Sequence, residues 1–109
     1  MDTQQRIKEQ VTGNRVVLYM KGTPQMPQCG FSALACQVLS ACGVQGQDLY
    51  TVNVLADAEI RQGIKDYANW PTIPQLYVNG EFVGGSDIMR EMYESGELQK
   101  VLQGSPQKA

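Results

Sequence analysis

Residues 15–32, RVVLYMKGTPQMPQCGFS, predict a strand, a loop and the start of a helix in direct succession. Arg15–Met20 is rich in β-branched and aromatic side chains, and its unbroken apolar character indicates a central strand covered on both faces. Gly22–Gln28 contains a threonine and two prolines, which is typical of a loop. The apolar residues of Gly30–Cys42 recur at helical spacing, namely Phe31, Leu34, Ala35, Val38, Leu39 and Cys42. Cys29 therefore stands where a loop enters a helix.

The rest of the chain completes an α/β pattern. Amphipathic spacing and capping residues predict helices over Asp2–Thr12, Asp57–Ala68, Ser86–Glu94 and Glu97–Gln103. Ser86 is the expected N-cap of the third of these. Strands are predicted over Asp48–Val54, Pro74–Val78 and Glu81–Gly84, with the hairpin signal Asn79-Gly80 between the last two. A β-α-β unit followed by a hairpin and helices predicts a thioredoxin-like α/β fold, with a four-stranded mixed sheet and helices on both faces.

Length and composition limit the class of protein. The 109 residues suffice for one compact domain, which we expect to span residues 1–109, with an N-terminal helix region over 1–14 and a flexible tail over 105–109. A net charge of −2 argues against a nucleic-acid-binding surface. No apolar run approaches the ~20 residues that span a bilayer. The polar N-terminus lacks a signal-peptide core, so we expect a cytoplasmic protein without membrane or nucleic-acid partners.

The chain has three cysteines and no histidine, which narrows its possible chemistry. Ser-His-Asp triads, Cys-His pairs and histidine-containing zinc sites are excluded within the chain. At a helix N-terminus, unpaired N–H groups stabilise the thiolate of Cys29, and Lys21 adds positive charge, so we expect a lowered pKa. The alternative is that Cys29 is a buried, inert thiol.

Cys29 has no partner thiol within reach. Ser32 stands three residues later, so the pair cannot close the disulfide of a Cys-x-x-Cys motif. Cys36 would lie about 10 Å further along the helix axis, beyond the ~7 Å Cα separation that a disulfide spans. Cys36 and Cys42 are therefore expected to pack in the core. Cys29 would act with a thiol from outside the chain, or not by thiol chemistry.

Two further segments are candidates for ligand contact. In Trp70–Pro74, Pro74 opens a strand, where its missing N–H is tolerated, and the simplest interpretation is a rigid loop. In Gly84–Asp87 two glycines permit a close approach, and the N-terminus of the helix that follows suits a carboxylate. Ser86 and Asp87 are equally consistent with a simple capping pair.

Four motifs, in order and at fitting spacings, resemble those of CGFS-type monothiol glutaredoxins. They are Lys21-Gly-Thr-Pro, Cys29-Gly-Phe-Ser, Trp70-Pro-Thr-Ile-Pro-Gln and Gly84-Gly-Ser-Asp. The resemblance covers Arg15–Leu102, nearly the whole chain. The chain departs from the family pattern in two places: Ser86 stands where many members carry cysteine, and Val44–Asp48 is slightly longer than usual.

The resemblance implies a glutathione site built around Cys29. Lys21 and Arg61 would pair with the glycyl carboxylate of glutathione. Ile73, held before a cis Pro74, would offer its backbone to the cysteinyl unit. Arg61 is equally consistent with a solvated helix charge, and Lys65 is expected to be such a surface charge.

The same resemblance assigns the other end of glutathione to the start of a helix. The N–H groups of Ser86 and Asp87 would bind the γ-glutamyl carboxylate, and the Asp87 side chain would face the amine. Thr72 and Gly85 complete the expected set of binding residues.

The function implied by the resemblance is iron–sulfur cluster assembly, storage and transfer. A [2Fe–2S] cluster would bridge two copies of the chain through one Cys29 thiolate each, and two glutathiones would supply the other two thiolates. The protein would then be a homodimer with the cluster and a monomer without it. Iron–sulfur acceptor proteins and a BolA-like protein are the expected partners.

Two other functions remain open from the sequence. The chain could be a glutathione-dependent thiol–disulfide oxidoreductase, in which Cys29 attacks a glutathionylated protein and a second glutathione regenerates the thiol. It could also be an interaction module with an inert Cys29.

Overall fold

The computed structural model describes residues 2–103, whose centre is a four-stranded mixed sheet. Its strands are β1 (Val16–Met20), β2 (Tyr50–Asn53), β3 (Gln75–Val78) and β4 (Glu81–Gly84). They lie in the order β2-β1-β3-β4, with β1 parallel to β2, and with β3 antiparallel to both β1 and β4. This arrangement confirms the predicted thioredoxin-like α/β fold.

Five α-helices of the described chain cover the two faces of the sheet. They are α1 (Thr3–Gly13), α2 (Gly30–Ala41), α3 (Ala58–Ala68), α4 (Ser86–Ser95) and α5 (Glu97–Gln103). On one face Val17 and Tyr19 pack with α1 and α3, and on the other Leu18 packs with α2, α4 and α5. Because all five residues of β1 are buried, the prediction of a central strand is confirmed. None of the helices within residues 2–103 is both long enough and apolar enough to cross a bilayer.

Strand β2 is shorter than the predicted Asp48–Val54, because both ends of that segment fold into short 3₁₀ helices, Gly46–Asp48 and Val54–Ala56. At the first end the Leu49 N–H donates to Gly46 O (3.2 Å), which closes a turn instead of a strand ladder. At the second end the side chain of Asn53 accepts from the Leu55 N–H (3.0 Å). Local side-chain and turn bonds thus compete successfully with the sheet.

Several boundary predictions can be compared with the structure. Asn79 and Gly80 both have positive φ (54° and 82°), which confirms the predicted hairpin turn. Ser86 was expected to cap α4, but the N-cap is Gly85 and Ser86 is the first helical residue. Phe31 shares the helical spacing of the other apolar residues of α2, but its side chain is 60% exposed. The predicted tail over 105–109 lies outside the described residues.

Candidate functional site

Cys29 is the N-cap of α2 and has an extended backbone (φ −156°, ψ 136°). The loop before it is held at two points. The Gln28 N–H donates to Lys21 O (2.9 Å), and the Gly22 N–H donates to Oδ1 of Asn53 at the end of β2 (2.9 Å). These bonds keep Cys29 beside the carboxyl ends of β1 and β2.

The pKa of the Cys29 thiol lies below its ordinary value, as the sequence predicts. The largest cause is the backbone N–H of Ser32, while partial burial opposes the shift; the N–H of Phe31, the charge of Lys21 and the Ser32 hydroxyl also lower the pKa. Within the described chain the sulfur closes no regular capping hydrogen bond, so the N–H groups act on it mainly as dipoles. The thiolate of Cys29 therefore forms at a lower pH than the thiolate of a free cysteine does.

Ser32 connects this thiol to the end of β1. Its side chain is fully buried, and its Oγ accepts from the backbone N–H of Lys21 at 3.0 Å. The hydroxyl proton can then be donated toward Cys29, in agreement with the contribution of Ser32 to the lowered pKa. The residue that rules out an internal disulfide therefore also stabilises the thiolate, a second role that was not predicted from the sequence.

A cavity of about 540 Å³ opens beside Cys29. This volume falls within the range of small-molecule sites, roughly 300–1,000 Å³. The cavity brings together eight of the nine predicted site residues: Lys21, Cys29, Thr72, Ile73, Pro74, Gly85, Ser86 and Asp87. The remaining lining residues are Phe31, Lys65, Trp70, Pro71 and Ile88.

The cations of α3 are placed differently from the prediction. Arg61 is exposed and lies outside the cavity lining, whereas Lys65, expected to be a surface charge, lines the cavity together with Lys21. Arg61 and Lys65 are four positions apart and thus share one side of α3, so their spacing alone could not decide which of them faces the cavity. Lys65 is one turn closer to the Trp70–Pro74 segment that forms part of the lining, and this proximity was the available signal.

One part of the cavity is formed by Trp70–Pro74 and the start of α4. The Ile73–Pro74 peptide is cis, as the resemblance implied. Gly85 packs closely here, because a Cβ atom at this position would lie 3.3 Å from Pro74 O. Since Gly85 is the N-cap and has no side chain to accept from the first helical N–H groups, those of Ser86 and Asp87 can bind an anion in the cavity.

Known proteins of similar sequence show the family to which this chain belongs. The sequence profile described as glutaredoxin matches residues 16–83. A ycf64-like monothiol glutaredoxin of Synechocystis is 61% identical over 102 residues, which cover 94% of this chain and 92% of that protein. The chain belongs to the monothiol glutaredoxin family. Glutaredoxin 4 of Escherichia coli is a further relative, 50% identical over 92% of this chain and 84% of its own length.

The glutaredoxin fold is matched among solved structures as well. The solution structure of reduced poplar apo GrxS14 is 46% identical in sequence and superimposes with a TM-score of 0.79. The match covers 93% of this chain and 90% of the poplar protein. The similarity thus extends well beyond the region around Cys29 to most of both chains.

The other two cysteines of this glutaredoxin have a different environment. All three described cysteines are free thiols, but Cys36 and Cys42 pack against the core cluster, as predicted. Burial raises the pKa of both thiols, in contrast to Cys29. Among residues 2–103, no three cysteine, aspartate or glutamate side chains are grouped so that they could hold a metal ion. Cys29 is therefore the activated thiol, in keeping with the monothiol family.

Proposed function

We propose that this monothiol glutaredoxin binds glutathione in the Cys29 cavity and carries a [2Fe–2S] cluster shared with a second copy. The observation that carries the proposal is the position of Cys29. Its thiol has a lowered pKa and opens onto a cavity in which, among the described residues, it is the only cysteine.

The charges of the cavity complement the charges of glutathione. Lys21 and Lys65 supply cations for one carboxylate. The N–H groups at the start of α4 suit the other carboxylate, and the Asp87 side chain suits the amine. The backbone of Ile73, which lines the cavity before the cis Pro74, can pair with the backbone of an extended tripeptide. Glutathione therefore fits the chemistry of the lining at both ends and in the middle.

The thiol count supports a shared cluster as the cargo. Iron–sulfur clusters are usually held by four thiolates. One copy of the chain offers Cys29, and a bound glutathione beside it offers a second thiol. Two copies with two glutathiones would thus supply four ligands around one cluster, and the protein would be a homodimer only while it carries the cluster.

The proposed partners follow from the role of a carrier. Iron–sulfur acceptor proteins would receive the cluster, and a BolA-like protein would take the place of the second copy. We place this function in the cytoplasm. Because the cluster would be exposed at the Cys29 cavity when one copy leaves, the partners would contact the rim of this cavity, which includes the exposed Phe31.

Anaerobic reconstitution with iron, sulfide and glutathione tests the proposal. We expect visible absorption, a doubled molecular mass, and two irons and two glutathiones per dimer. Cys29→Ser should abolish all three, whereas the matched Cys42→Ser should retain them because that thiol packs against the core. A Cys29→Ser protein with the same cluster and mass would contradict the proposal.

The lowered pKa of Cys29 also supports a second function, glutathione-dependent deglutathionylation. The Cys29 thiolate would attack the glutathione sulfur of a protein mixed disulfide, release the protein thiolate and become glutathionylated itself. A glutathione thiolate would then attack the Cys29-bound glutathione, regenerate Cys29 and leave as glutathione disulfide. Rapid turnover of a glutathione mixed disulfide by protein that forms no stable cluster would favour this function over the carrier.

A further inference from the structure

Gln75, the first residue of β3, is a fully buried polar side chain that the proposed function leaves without a role. It directly follows Pro74 and points back to the segment that precedes it. Its Nε2 donates to the backbone carbonyls of Trp70 (3.1 Å) and Thr72 (3.2 Å). Its Oε1 accepts from the hydroxyl of Tyr77 (3.2 Å).

The hydrogen-bond partners of Gln75 determine the orientation of its amide. Two carbonyl oxygens can only accept, so the NH₂ end must face Trp70 and Thr72. The Tyr77 hydroxyl can donate, and it meets the amide oxygen. Both amide protons are therefore used, and a carboxylate or a thioether of similar length could not replace them.

The segment that Gln75 holds, Trp70–Pro74, is one wall of the Cys29 cavity. All five residues of Trp70–Pro74 line this cavity, whereas Gln75 and Tyr77 lie behind it. The carbonyls of Trp70 and Thr72 are two positions apart, so binding both limits how the peptide between them can rotate. Ile73, whose backbone would pair with glutathione, comes immediately after the second of these carbonyls.

We propose that Gln75 is a positioning residue that sets the shape of the Trp70–Pro74 wall before glutathione arrives. This inference rests on the proposed glutathione site. A wall that is ordered in advance lowers the cost of binding, because fewer backbone conformations are lost when the ligand pairs with it. Gln75 acts on the ligand through the wall and not on Cys29, whose thiol is stabilised by Ser32, Phe31 and Lys21.

Two reactions of Cys29 separate this role from a general loss of structure. With glutathione disulfide, the thiolate forms a Cys29–glutathione disulfide and releases one glutathione thiolate, and this reaction uses the cavity wall. With iodoacetamide, the thiolate is alkylated and iodide leaves, and this reaction needs only the thiolate. For Gln75→Met we expect the rate constant with glutathione disulfide to fall about fivefold or more, which corresponds to the net value of one hydrogen bond. The rate constant with iodoacetamide should stay unchanged.

A matched control and a second variant complete the experiment. Gln62→Met makes the same change at an exposed position of α3 and should leave both rate constants unchanged. Tyr77→Phe removes only the hydroxyl that orients the Gln75 amide. We expect its rate constant with glutathione disulfide to fall about twofold and its rate constant with iodoacetamide to stay unchanged. This variant decides the matter if Gln75→Met does not fold.

The outcomes distinguish the inference from the proposed function. If wild-type protein shows no preference for glutathione disulfide over hydroxyethyl disulfide, the glutathione site itself is wrong. If wild-type protein shows this preference and both Gln75→Met and Tyr77→Phe retain it fully, the positioning role of Gln75 is overturned. Equal losses of the rate constants with glutathione disulfide and with iodoacetamide would also overturn the positioning role, because they would indicate general damage to the site.

Discussion

Ser32 offers a direct test of how Cys29 is kept ionised. Ser32→Ala retains the backbone N–H, which is the largest cause of the lowered pKa of Cys29, and removes the smaller contribution of the hydroxyl. We therefore expect the thiol pKa to rise, as measured by thiolate absorbance in the ultraviolet against pH. The pH at which the alkylation rate reaches half its maximum should rise equally.

The same substitution should lower stability, because the Lys21 N–H loses its acceptor at Ser32 Oγ. We expect a loss of about 1–3 kcal/mol in the free energy of unfolding, the usual cost of an unpaired buried group. Ser40→Ala, at an exposed position of α2, is the matched control and should leave the thiol pKa of Cys29 unchanged. A Ser32→Ala protein with the wild-type thiol pKa would show that the hydroxyl has no part in it.

Gly22 is a second residue on which the position of Cys29 depends. Its φ of +90° is rarely adopted by other residues, and a Cβ atom would lie 2.5 Å from Met26 O and 2.7 Å from Gln28 N. We expect Gly22→Ala to lower the free energy of unfolding by about 2 kcal/mol or more, measured by urea unfolding. Gly13→Ala should cause little change, since nothing lies within 4 Å of its Cβ position; similar losses in both variants would contradict this account.

Single residues differ in how well the sequence predicted their place in the site. The position of Cys29 followed from local order alone, because a loop entering a helix always presents its N-cap to the helix N–H groups. The choice between Arg61 and Lys65 depended on the course of the chain after α3, for which the only signal in the sequence was that Lys65 is nearer to Trp70–Pro74. Ser32 was recognised only as a missing thiol, because its bond to Lys21 joins a helix to a strand eleven residues away.

Helices α1 and α3 are joined by an ion pair that should make stability depend on pH. Arg6 Nη2 lies 2.8 Å from Asp57 Oδ2, while Oδ1 of Asp57 accepts from the first N–H groups of α3. The hydrogen bond from Arg6 is the largest cause that lowers the pKa of Asp57. A carboxyl with a lowered pKa stabilises the folded state above about pH 4 and loses this contribution as the pH falls through its folded pKa.

Asp57→Asn removes this dependence and keeps an oxygen for capping. We therefore expect the variant to be less stable than wild type at pH 7, with a difference that shrinks as the pH falls below about 4. Urea unfolding at several pH values measures it. Asp48→Asn, at an exposed position of the short 3₁₀ helix Gly46–Asp48, is the matched control. A constant difference between pH 7 and pH 3 would show that the lost capping geometry, and not the charge of Asp57, is responsible.

At the scale of elements, predictions were reliable where one physical signal dominated. The Asn79-Gly80 turn was predicted because both residues accept positive φ, which the turn requires. The ends of β2 were predicted wrongly because local bonds shorten the strand: the Leu49 N–H donates to Gly46 O at one end, and the Leu55 N–H donates to the side chain of Asn53 at the other. The cap of α4 was shifted by one residue, because Gly85 adopts the extended cap conformation that was assigned to Ser86.

For the whole molecule, the order of elements was sufficient to predict the topology, but the surface was not predicted. A β-α-β unit followed by a hairpin leaves few ways to build one mixed sheet, so the four-stranded order follows from general rules of chain connection. Helical periodicity, in contrast, groups Phe31 with the apolar residues of α2 and does not show which of these side chains stay exposed. Its side chain is 60% exposed and borders the Cys29 cavity.

The exposure of Phe31 leads to a prediction about assembly. On the proposed function, a second copy approaches the Cys29 cavity and covers Phe31 when the cluster is shared. Covering an aromatic side chain contributes about 1.5–3 kcal/mol, so Phe31→Ser should weaken the cluster-bound dimer at least about tenfold. The stability of the monomer should change by no more than about 0.5 kcal/mol, because the side chain is already exposed. Sedimentation of the reconstituted protein over a range of concentrations measures the dimer constant.

The control for this prediction lies at the other end of the sheet. Tyr50 is 42% exposed and pairs with Val17 near the start of β1, whereas Cys29 lies beyond the end of that strand. Tyr50→Ser should therefore leave the dimer constant unchanged. Equal weakening by both substitutions would indicate that the two copies do not meet at the cavity. No weakening by Phe31→Ser would mean that the cluster and glutathione hold the two copies together without a protein contact at this residue.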